Sequence, residues 1–227
     1  MKTKTLLITV LLLVTSLLLA AQRAPDIRTN SRISTSYDLS DKTIQGTPYI
    51  TSTFLPAKIS ADEEKIYNLR YNAHTDEMEV QSTDKSIGAI NKNINDLRII
   101  FIKNNKTYIS ANYINDNGIA QKGYFVHVNK PDSKISLLKK ESKKFIERKT
   151  ANSGYEKTKP AHFKRINDTY YVIIKNKTAQ IIPKKKKDFL KVFPEKHKNI
   201  FSFMKKNKIK TSREEDLIEL VNYLNTL

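Results

Sequence analysis

Between residues 47 and 128 the chain consists of short segments of alternating apolar and polar residues, joined by very short turns. "KIYNLRYNA" and "DEMEVQS" flank "HTD", and "LRIIFIK" and "KTYISANYI" flank "NN". "NDNG", at residues 115–118, is a strong turn signal before "IAQKGYFVHVN". Strands joined so tightly must be antiparallel, because a parallel pair needs a crossover of about a dozen residues or more. An antiparallel sheet is therefore predicted for this half of the chain.

One of these segments carries a compact group of carboxylates, namely Asp76, Glu77 and Glu79. Met78 and Val80 alternate with the two glutamates, which predicts one buried and one solvated strand face. Two carboxylates on one strand face are typical of glycosidase or calcium sites. The alternative is an ordinary solvated face, and we favour it.

After residue 128 the sequence is richer in lysine and its alternation of apolar and polar residues is less regular. "ISLLKKESKKFIERK" begins as a strand and fades into a lysine-rich stretch that suits strand or helix. "TANSGYEKTKP", residues 150–160, has the composition of a linker. "AHFKRIN", "TYYVIIK" and "AQIIP" predict three short strands, with turns at "ND" and "NKT".

Three helices are predicted to close the chain. "KKKDFLKVF" is short, and Pro194 suits the first turn of the next helix. Ser212 and Glu215 have the spacing of a capping box at the start of the last one. The predicted buried stripes follow helical spacing. They are His197, Ile200, Phe201 and Met204 in the second helix, and Leu217, Ile218, Val221 and Leu224 in the third.

These segments together predict an α+β fold, in which an antiparallel curved sheet or partly open barrel is followed by a C-terminal three-helix cap. The predicted organisation is a signal peptide at 1–21, a flexible leader at 22–46 and a β-rich domain at 47–150. Short strands and the helical segment at 151–227 pack on the sheet, as part of the same domain or as a second one.

The N-terminal "MKTKTLLITVLLLVTSLLLAAQ" has a basic start, an apolar run and small residues before a cleavage point. This order is typical of a secretory signal peptide. The chain has no cysteine, which excludes a lipid-anchored lipoprotein, thiol catalysis and thiolate metal sites. A disulfide-free exported chain indicates a bacterial envelope protein. We predict the periplasm as its location, with secretion as the second alternative.

Positive charge is concentrated in the second half of the chain. Residues 1–120 hold 14 Lys/Arg and 12 Asp/Glu, whereas residues 121–227 hold 27 and 11. Most of the basic residues are lysine, while nucleic-acid and phosphate recognition favours arginine, so we predict no nucleic-acid partner. The predicted contact surface for an anionic partner comprises Lys184, Lys185, Lys186, Lys187 and Lys191. The alternative is that these lysines are only the solvated face of ordinary helices, and we favour that alternative.

No catalytic constellation is recognisable in the sequence. The four histidines lack metal-ligand spacing, there is no nucleophile elbow, and five glycines provide no phosphate loop. His127 is predicted to be a hydrogen-bonded structural residue. We therefore predict a non-enzyme without cofactor or metal.

Several segments, above all "LRYNAHTDEMEVQ" and "DLIELVNYLNTL", resemble a family of uncharacterised exported proteins of Bacteroidota, over roughly residues 46–227. The resemblance implies an envelope location and transfers no activity, cofactor or catalytic residue. Many exported proteins of that phylum end in a β-sandwich sorting domain. This chain is predicted to end in a helix, which favours the periplasm.

Three functions remain open at this point. The first is a non-catalytic binding or structural role with an anionic envelope component or an envelope protein, including peripheral contact with an anionic membrane surface. The second is a carrier of an apolar ligand inside the curved sheet, similar to lipid or lipoprotein chaperones. The third is a hydrolase that uses Asp76, Glu77 and Glu79.

Overall fold

The structure is a computed structural model, which describes residues 28–29, 38–115, 117–151, 157–174 and 177–227. The predicted signal peptide and residues 152–156 of the predicted linker lie outside the described residues. The strands of the described chain are β1 (Arg28–Thr29), β2 (Leu55–Ile59), β3 (Asp62–Asn72), β4 (Glu77–Gln81), β5 (Ile87–Ile90), β6 (Arg98–Phe101), β7 (Lys106–Ile114), β8 (Ala120–His127), β9 (Ile135–Ile146), β10 (His162–Ile174) and β11 (Gln180–Ile181).

All of these strands belong to one curved, unclosed antiparallel sheet, in the order β1-β5-β4-β3-β2-β6-β7-β8-β9-β10-β11. Strands β2 to β5 are successive hairpins that extend the sheet in one direction. The chain then returns to the free edge of β2, and β6 to β11 extend the sheet in the other direction. Two residues of the predicted flexible leader form the edge strand β1, where Arg28 lies opposite Ile90.

Three helices follow the sheet, as predicted. They are α1 (Lys186–Phe189), α2 (His197–Lys206) and α3 (Glu214–Leu224), and two 3₁₀ turns (Leu190–Val192 and Pro194–Lys196) connect α1 to α2. We call the segment from α1 to α3 the helical cap. The predicted α+β class, with a curved antiparallel sheet and a C-terminal three-helix cap, is confirmed.

The helical cap packs on β9 and β10 through its apolar stripes. Leu217, Val221 and Leu224 of α3 are buried as predicted, and Leu220 is buried beside them. In α2 only part of the predicted stripe was right. Ile200 and Met204 are buried, whereas His197 and Phe201 are exposed, because the helix turns Phe203 rather than Phe201 toward the cluster, where its ring stacks on Tyr223. These side chains meet Leu137 of β9 and Val172 of β10 in one apolar cluster.

The local hairpin predictions are confirmed. Strands β3 and β4 pair around a turn that holds Asp76 at a φ of 57°, and β6 and β7 pair around Asn105 at a φ of 52°. At the predicted "NDNG" turn, the amide of Gly118 donates a hydrogen bond to the carbonyl of Asn115. Asp and Asn tolerate the left-handed region better than most residues, so these short turns need little strain.

Two predictions about chain breaks are wrong. "AHFKRIN" and "TYYVIIK" form the single strand β10, in which "ND" is a bulge between Ile166 and Thr169 rather than a turn. The capping box is absent, because α3 begins at Glu214 with Arg213 as its N-cap, and no side chain caps it. The carboxylate of Glu214 instead accepts hydrogen bonds from Lys139 and Tyr170 on the sheet, at 2.8 and 2.7 Å.

The sheet has a seam between β8 and β9. These two strands pair only at Val126 and His127, which lie opposite Lys139 and Leu138. Beyond that point β9 leaves β8 and reaches the β3–β4 hairpin, where the amide of Lys143 donates to the carbonyl of Ala73. The backbone of β8 along this seam therefore needs hydrogen-bond partners other than a neighbouring strand.

Candidate binding surface and cleft

The predicted contact lysines lie together on one short segment at the start of the helical cap. Lys184 and Lys185 precede α1, Lys186 and Lys187 begin it, and Lys191 lies in the following 3₁₀ turn. All five are exposed. We call them the lysine surface.

Buried neighbours hold the lysine surface in place. The apolar cluster of the cap anchors this segment through Ile182, which precedes Lys184, and through Phe189 and Leu190, which lie between Lys187 and Lys191. The hydroxyl of Thr211 donates a 2.6 Å hydrogen bond to the carbonyl of Lys184. The backbone that carries these exposed ammonium groups is therefore held in place.

The lysine surface carries little compensating charge. Lys191 pairs with Asp188 at 2.9 Å, and hydrogen bonding from Lys191 holds the pKa of Asp188 below its usual value. In contrast, Lys184, Lys185, Lys186 and Lys187 have no described carboxylate within 4.0 Å. Such a group attracts anions collectively, with a strength that salt reduces.

A cleft of about 440 Å³ lies between the helical cap, the start of β9 and the end of β10. We call it the cap cleft. Its apolar lining comes from strand ends, the turn after α1 and the end of α3. These residues are Ile135, Ile174, Val192, Phe193, Leu224 and Leu227.

The cap cleft also has a basic rim. Lys134 precedes β9, Lys177 follows β10, and Lys196 lies just before α2. Glu195 is the one acidic side chain in the lining that the structure describes. The cleft thus combines apolar walls with an excess of positive charge, a combination that suits a ligand with an apolar body and an acidic end.

Each of the three carboxylates of the predicted acidic cluster is engaged by at least one cation. Glu79 pairs with Arg70, with Nη2 and Oε2 2.7 Å apart, and Glu77 lies 3.5 Å from the ammonium of Lys92. Asp76 pairs with Lys140 at 2.7 Å. The ammonium of Lys92 also lies 3.9 Å from Asp76. The carboxylates therefore belong to structural ion pairs and do not face one substrate together.

The prediction that Glu79 lies on a solvated strand face is wrong, because only 3% of this residue is exposed. The guanidinium of Arg70 stacks on the rings of Tyr49 and Phe54, at 3.7 and 4.2 Å from their centres. Asn72 donates to the other oxygen of Glu79 at 3.2 Å. Arg70 and Asn72 of β3 are therefore the partners of Glu79. Tyr49 and Phe54, which precede β2, cover Arg70 on the strand face that the alternation pattern left open to solvent.

Asp76 occupies the seam between β8 and β9. Its Oδ1 accepts hydrogen bonds from the Tyr71 hydroxyl at 2.7 Å and from the Tyr124 amide at 3.2 Å. The Lys140 ammonium in turn donates to the Tyr124 carbonyl at 2.9 Å. The Asp76–Lys140 pair therefore supplies the backbone hydrogen bonds that β9 does not give to β8.

Gly123 makes room for this pair. A Cβ atom on Gly123 would lie 2.7 Å from both Asp76 Oδ2 and Lys140 Nζ. Burial lowers the pKa of Lys140, and the adjacent Asp76 carboxylate opposes that shift. The pair fills the seam tightly and leaves no space for a substrate against Gly123.

Glu141, which the sequence did not single out, is the centre of a second buried network. Its carboxylate accepts hydrogen bonds from Tyr108 at 2.5 Å and from Lys106 at 2.7 Å, and Arg165 lies 3.4 Å away. Burial raises the pKa of Tyr108, and the adjacent carboxylate adds to the shift. The phenol therefore stays protonated and acts as a hydrogen-bond donor.

His127 departs from its predicted role, because its Nε2 is buried without a hydrogen-bond partner among the described residues. Burial lowers the pKa of this imidazole, and the charge of Arg98 adds to the effect. The ring is therefore held neutral, and we assign it no binding role.

Sequence reasoning located the lysine surface but missed the cap cleft and the charged seam. The outermost rim lysines, Lys134 and Lys196, are 62 residues apart in the sequence, and Asp76 and Lys140 are 64 residues apart. No pattern of neighbouring residues indicates contacts between residues so far apart in the sequence. The only available signal was the charge of "LLKKESKK" within a segment that begins as a strand.

Comparison with known proteins gives no relative for this chain: no family model, no curated protein and no solved structure matches it. None of the helices in the described residues is both long and apolar enough to span a membrane. Within the same residues, no group of three or more His, Asp or Glu side chains could hold a metal ion.

Proposed function

We propose that this chain is an exported, non-catalytic binding protein of the cell envelope, located in the periplasm, whose helical cap contacts an anionic envelope component. The observation that carries the proposal is the lysine surface: four ammonium groups that are exposed on an anchored backbone and have no described carboxylate within 4.0 Å. The apolar, basic-started N-terminus supports export.

The physical reason is collective electrostatics. A single exposed ion pair contributes little, about 0–1 kcal/mol. Several lysines on one surface act together on a charged sheet of lipid head groups, with about 1 kcal/mol for each lysine near the surface. The lysine surface is therefore suited to an extended anionic partner such as a membrane or an acidic polymer, more than to a single small ion.

The proposal is tested by sedimentation of the purified protein with phosphatidylglycerol vesicles at low and high salt. We expect binding at low salt that declines steeply as salt increases. The variant with Lys184, Lys185, Lys186 and Lys187 replaced by Gln is expected to bind about 1,000-fold more weakly, because four lysines at about 1 kcal/mol each amount to about 4 kcal/mol.

The matched control replaces four exposed lysines of the first half of the chain with Gln and so removes the same net charge. These are Lys42, Lys58, Lys85 and Lys103. The control variant should bind nearly as well as the unaltered protein. Equal losses in both variants would show that only net charge matters and would refute a defined surface. A pull-down from the envelope under the same two salt conditions identifies protein partners.

A second candidate function, a carrier of an apolar ligand, is supported by the cap cleft. The expected place for such a ligand was the interior of the curved sheet, but that face holds the packed rings of Tyr71, Tyr108 and Tyr124. The cap cleft offers a different place, outside the sheet and beside the lysine surface. The hydrolase hypothesis has no comparable support, because each of its three carboxylates is engaged by a cation.

A further inference from the structure

We propose that the cap cleft binds a single-chain amphiphile with an acidic head group, whose chain enters the cleft while its head contacts the lysine rim. This inference rests on the proposed function, because it names the chemistry of the anionic component. It assigns the ligand to residues other than the lysine surface, so the two proposals can fail separately.

The apolar part of the argument is the exposure of side chains inside a concave site. Phe193 and Leu224 form a buried floor, while Ile174 and Leu227 are 37% and 45% exposed in the lining. Exposed apolar side chains are ordinary on a convex surface, but gathered in a cleft they favour an apolar ligand. The volume of about 440 Å³ lies within the range of about 300–1,000 Å³ that is usual for small-molecule sites.

The charged part of the argument is the convergence of three lysines from separate places in the chain. Lys134, Lys177 and Lys196 come from the start of β9, the turn after β10 and the turn before α2. The fold brings them to one cleft in which Glu195 is the only described acidic side chain of the lining. Their combined charge complements a carboxylate or a phosphate, and the shared requirement is a negative head group on an apolar chain.

The cleft walls are held rigidly, which reduces the cost of ordering them around a ligand. Asn225, at the end of α3, binds both the amide and the carbonyl of Ile135, each at 2.9 Å. Asn129 donates to the same carbonyl at 3.0 Å and accepts from the amide of Leu137 at 2.8 Å. Asn225 thus fixes the end of the helical cap against β9, and Asn129 fixes the start of β9 itself, so the distance across the cleft is fixed.

The inference is tested by calorimetric titration of the full chain with decanoate, kept below the concentration at which it forms micelles, and with the uncharged analogue 1-decanol. We expect saturable binding of decanoate and weaker binding of decanol. Ile174→Glu places a carboxylate in the cleft and should weaken decanoate binding about tenfold or more, through like-charge repulsion and lost apolar contact. Replacing Lys134, Lys177 and Lys196 together with Gln should weaken decanoate binding about tenfold and leave decanol binding unchanged.

The matched control is Ile100→Glu, because Ile100 is also 37% exposed but lies on β6, away from the cleft. This variant should bind decanoate as the unaltered protein does. A titration with lysophosphatidylglycerol of the same chain length distinguishes a lipid from a free acid as the source of the ligand. An unaltered protein that takes up neither amphiphile overturns the inference, as does an Ile174→Glu variant that binds decanoate normally.

The vesicle experiment separates this result from the proposed function. Vesicle binding that depends on the lysine surface, without decanoate binding, overturns the cleft inference and leaves the proposed function standing. Decanoate binding without vesicle binding supports the cleft and overturns the role of the lysine surface.

Discussion

The charged residues of the sheet and those of the helical cap are in opposite situations. In the sheet, Arg70 and Glu79 have side chains that are only 16% and 4% exposed, and each satisfies the other. On the cap, Lys184 to Lys187 are exposed and have no described carboxylate within 4.0 Å. Burial thus separates charges that hold the fold together from charges that remain available to a partner.

The difference shows why the amount of charge in a sequence says little about its use. A buried ion pair is costly to break, because removing one partner leaves the other without solvent or counter-charge. An exposed lysine can be removed at almost no cost to stability. Stability measurements on the two regions therefore distinguish the two kinds of charge directly.

The largest effect is expected for Arg70→Met. This change leaves Glu79 buried without its cation and should lower the free energy of unfolding by about 3–5 kcal/mol. Urea denaturation of this variant and of the control Lys187→Met measures the contrast. We expect the control to change stability by less than about 0.5 kcal/mol. Similar losses in both variants would contradict the distinction between the two regions.

A smaller effect is expected for Gly123→Ala. The added methyl group would meet Asp76 and Lys140 at 2.7 Å, so the seam must widen, at a cost of about 1–3 kcal/mol. The same substitution in a Lys140→Ala background tests the cause, because the flexible ammonium tip is then absent. If the close contact with Lys140 is responsible, the substitution costs less in that background, and identical costs would assign the loss to another contact.

The smallest effect is expected from the titration of Glu214, which joins the helical cap to the sheet. Burial would raise the pKa of Glu214, but hydrogen bonds from Lys139 and Tyr170 outweigh burial and lower it below 4.5. Its contribution to stability is therefore complete above pH 4.5 and is lost as the pH falls through the lower, folded-state pKa. Denaturation of Glu214→Gln between neutral and acid pH should lack this decline, and an unchanged pH dependence would show that other groups dominate.

The parts of the fold that the sequence predicted correctly are those whose information is local. The β3–β4 and β6–β7 hairpins follow from alternation and short turns, and α3 follows from its apolar spacing. The same local rules failed where distant residues compete for the same groups. Glu214 binds Lys139 and Tyr170 of the sheet, so Ser212 and Glu215 do not form the capping box that their spacing predicts.

The candidate sites, too, could be predicted only where their residues are neighbours in the sequence. The lysine surface is contiguous in sequence and was predicted from it. The cap cleft depends on how the ends of β9, β10 and α3 meet, which no pattern of neighbouring residues encodes. The buried state of Glu79 depends in the same way on a segment that lies more than 20 residues earlier and covers its strand face.

The seam between β8 and β9 has a consequence for the order in which the chain acquires its structure. Strands β2 to β8 find their partners among themselves, and apart from the β2–β6 pair, where Ala57 lies opposite Phe101, they do so through hairpin contacts that are close in sequence and form early. Strand β9 adds only two ladder positions to β8, and its other contacts with the first half of the sheet, such as Lys140 with Asp76 and Lys143 with Ala73, join residues that are more than 60 positions apart in the sequence. We expect the first half of the sheet to assemble before the second half joins it. Pulsed hydrogen exchange during refolding should then protect the amides of β3 and β7 before the amide of Lys143 in β9, which donates to the carbonyl of Ala73.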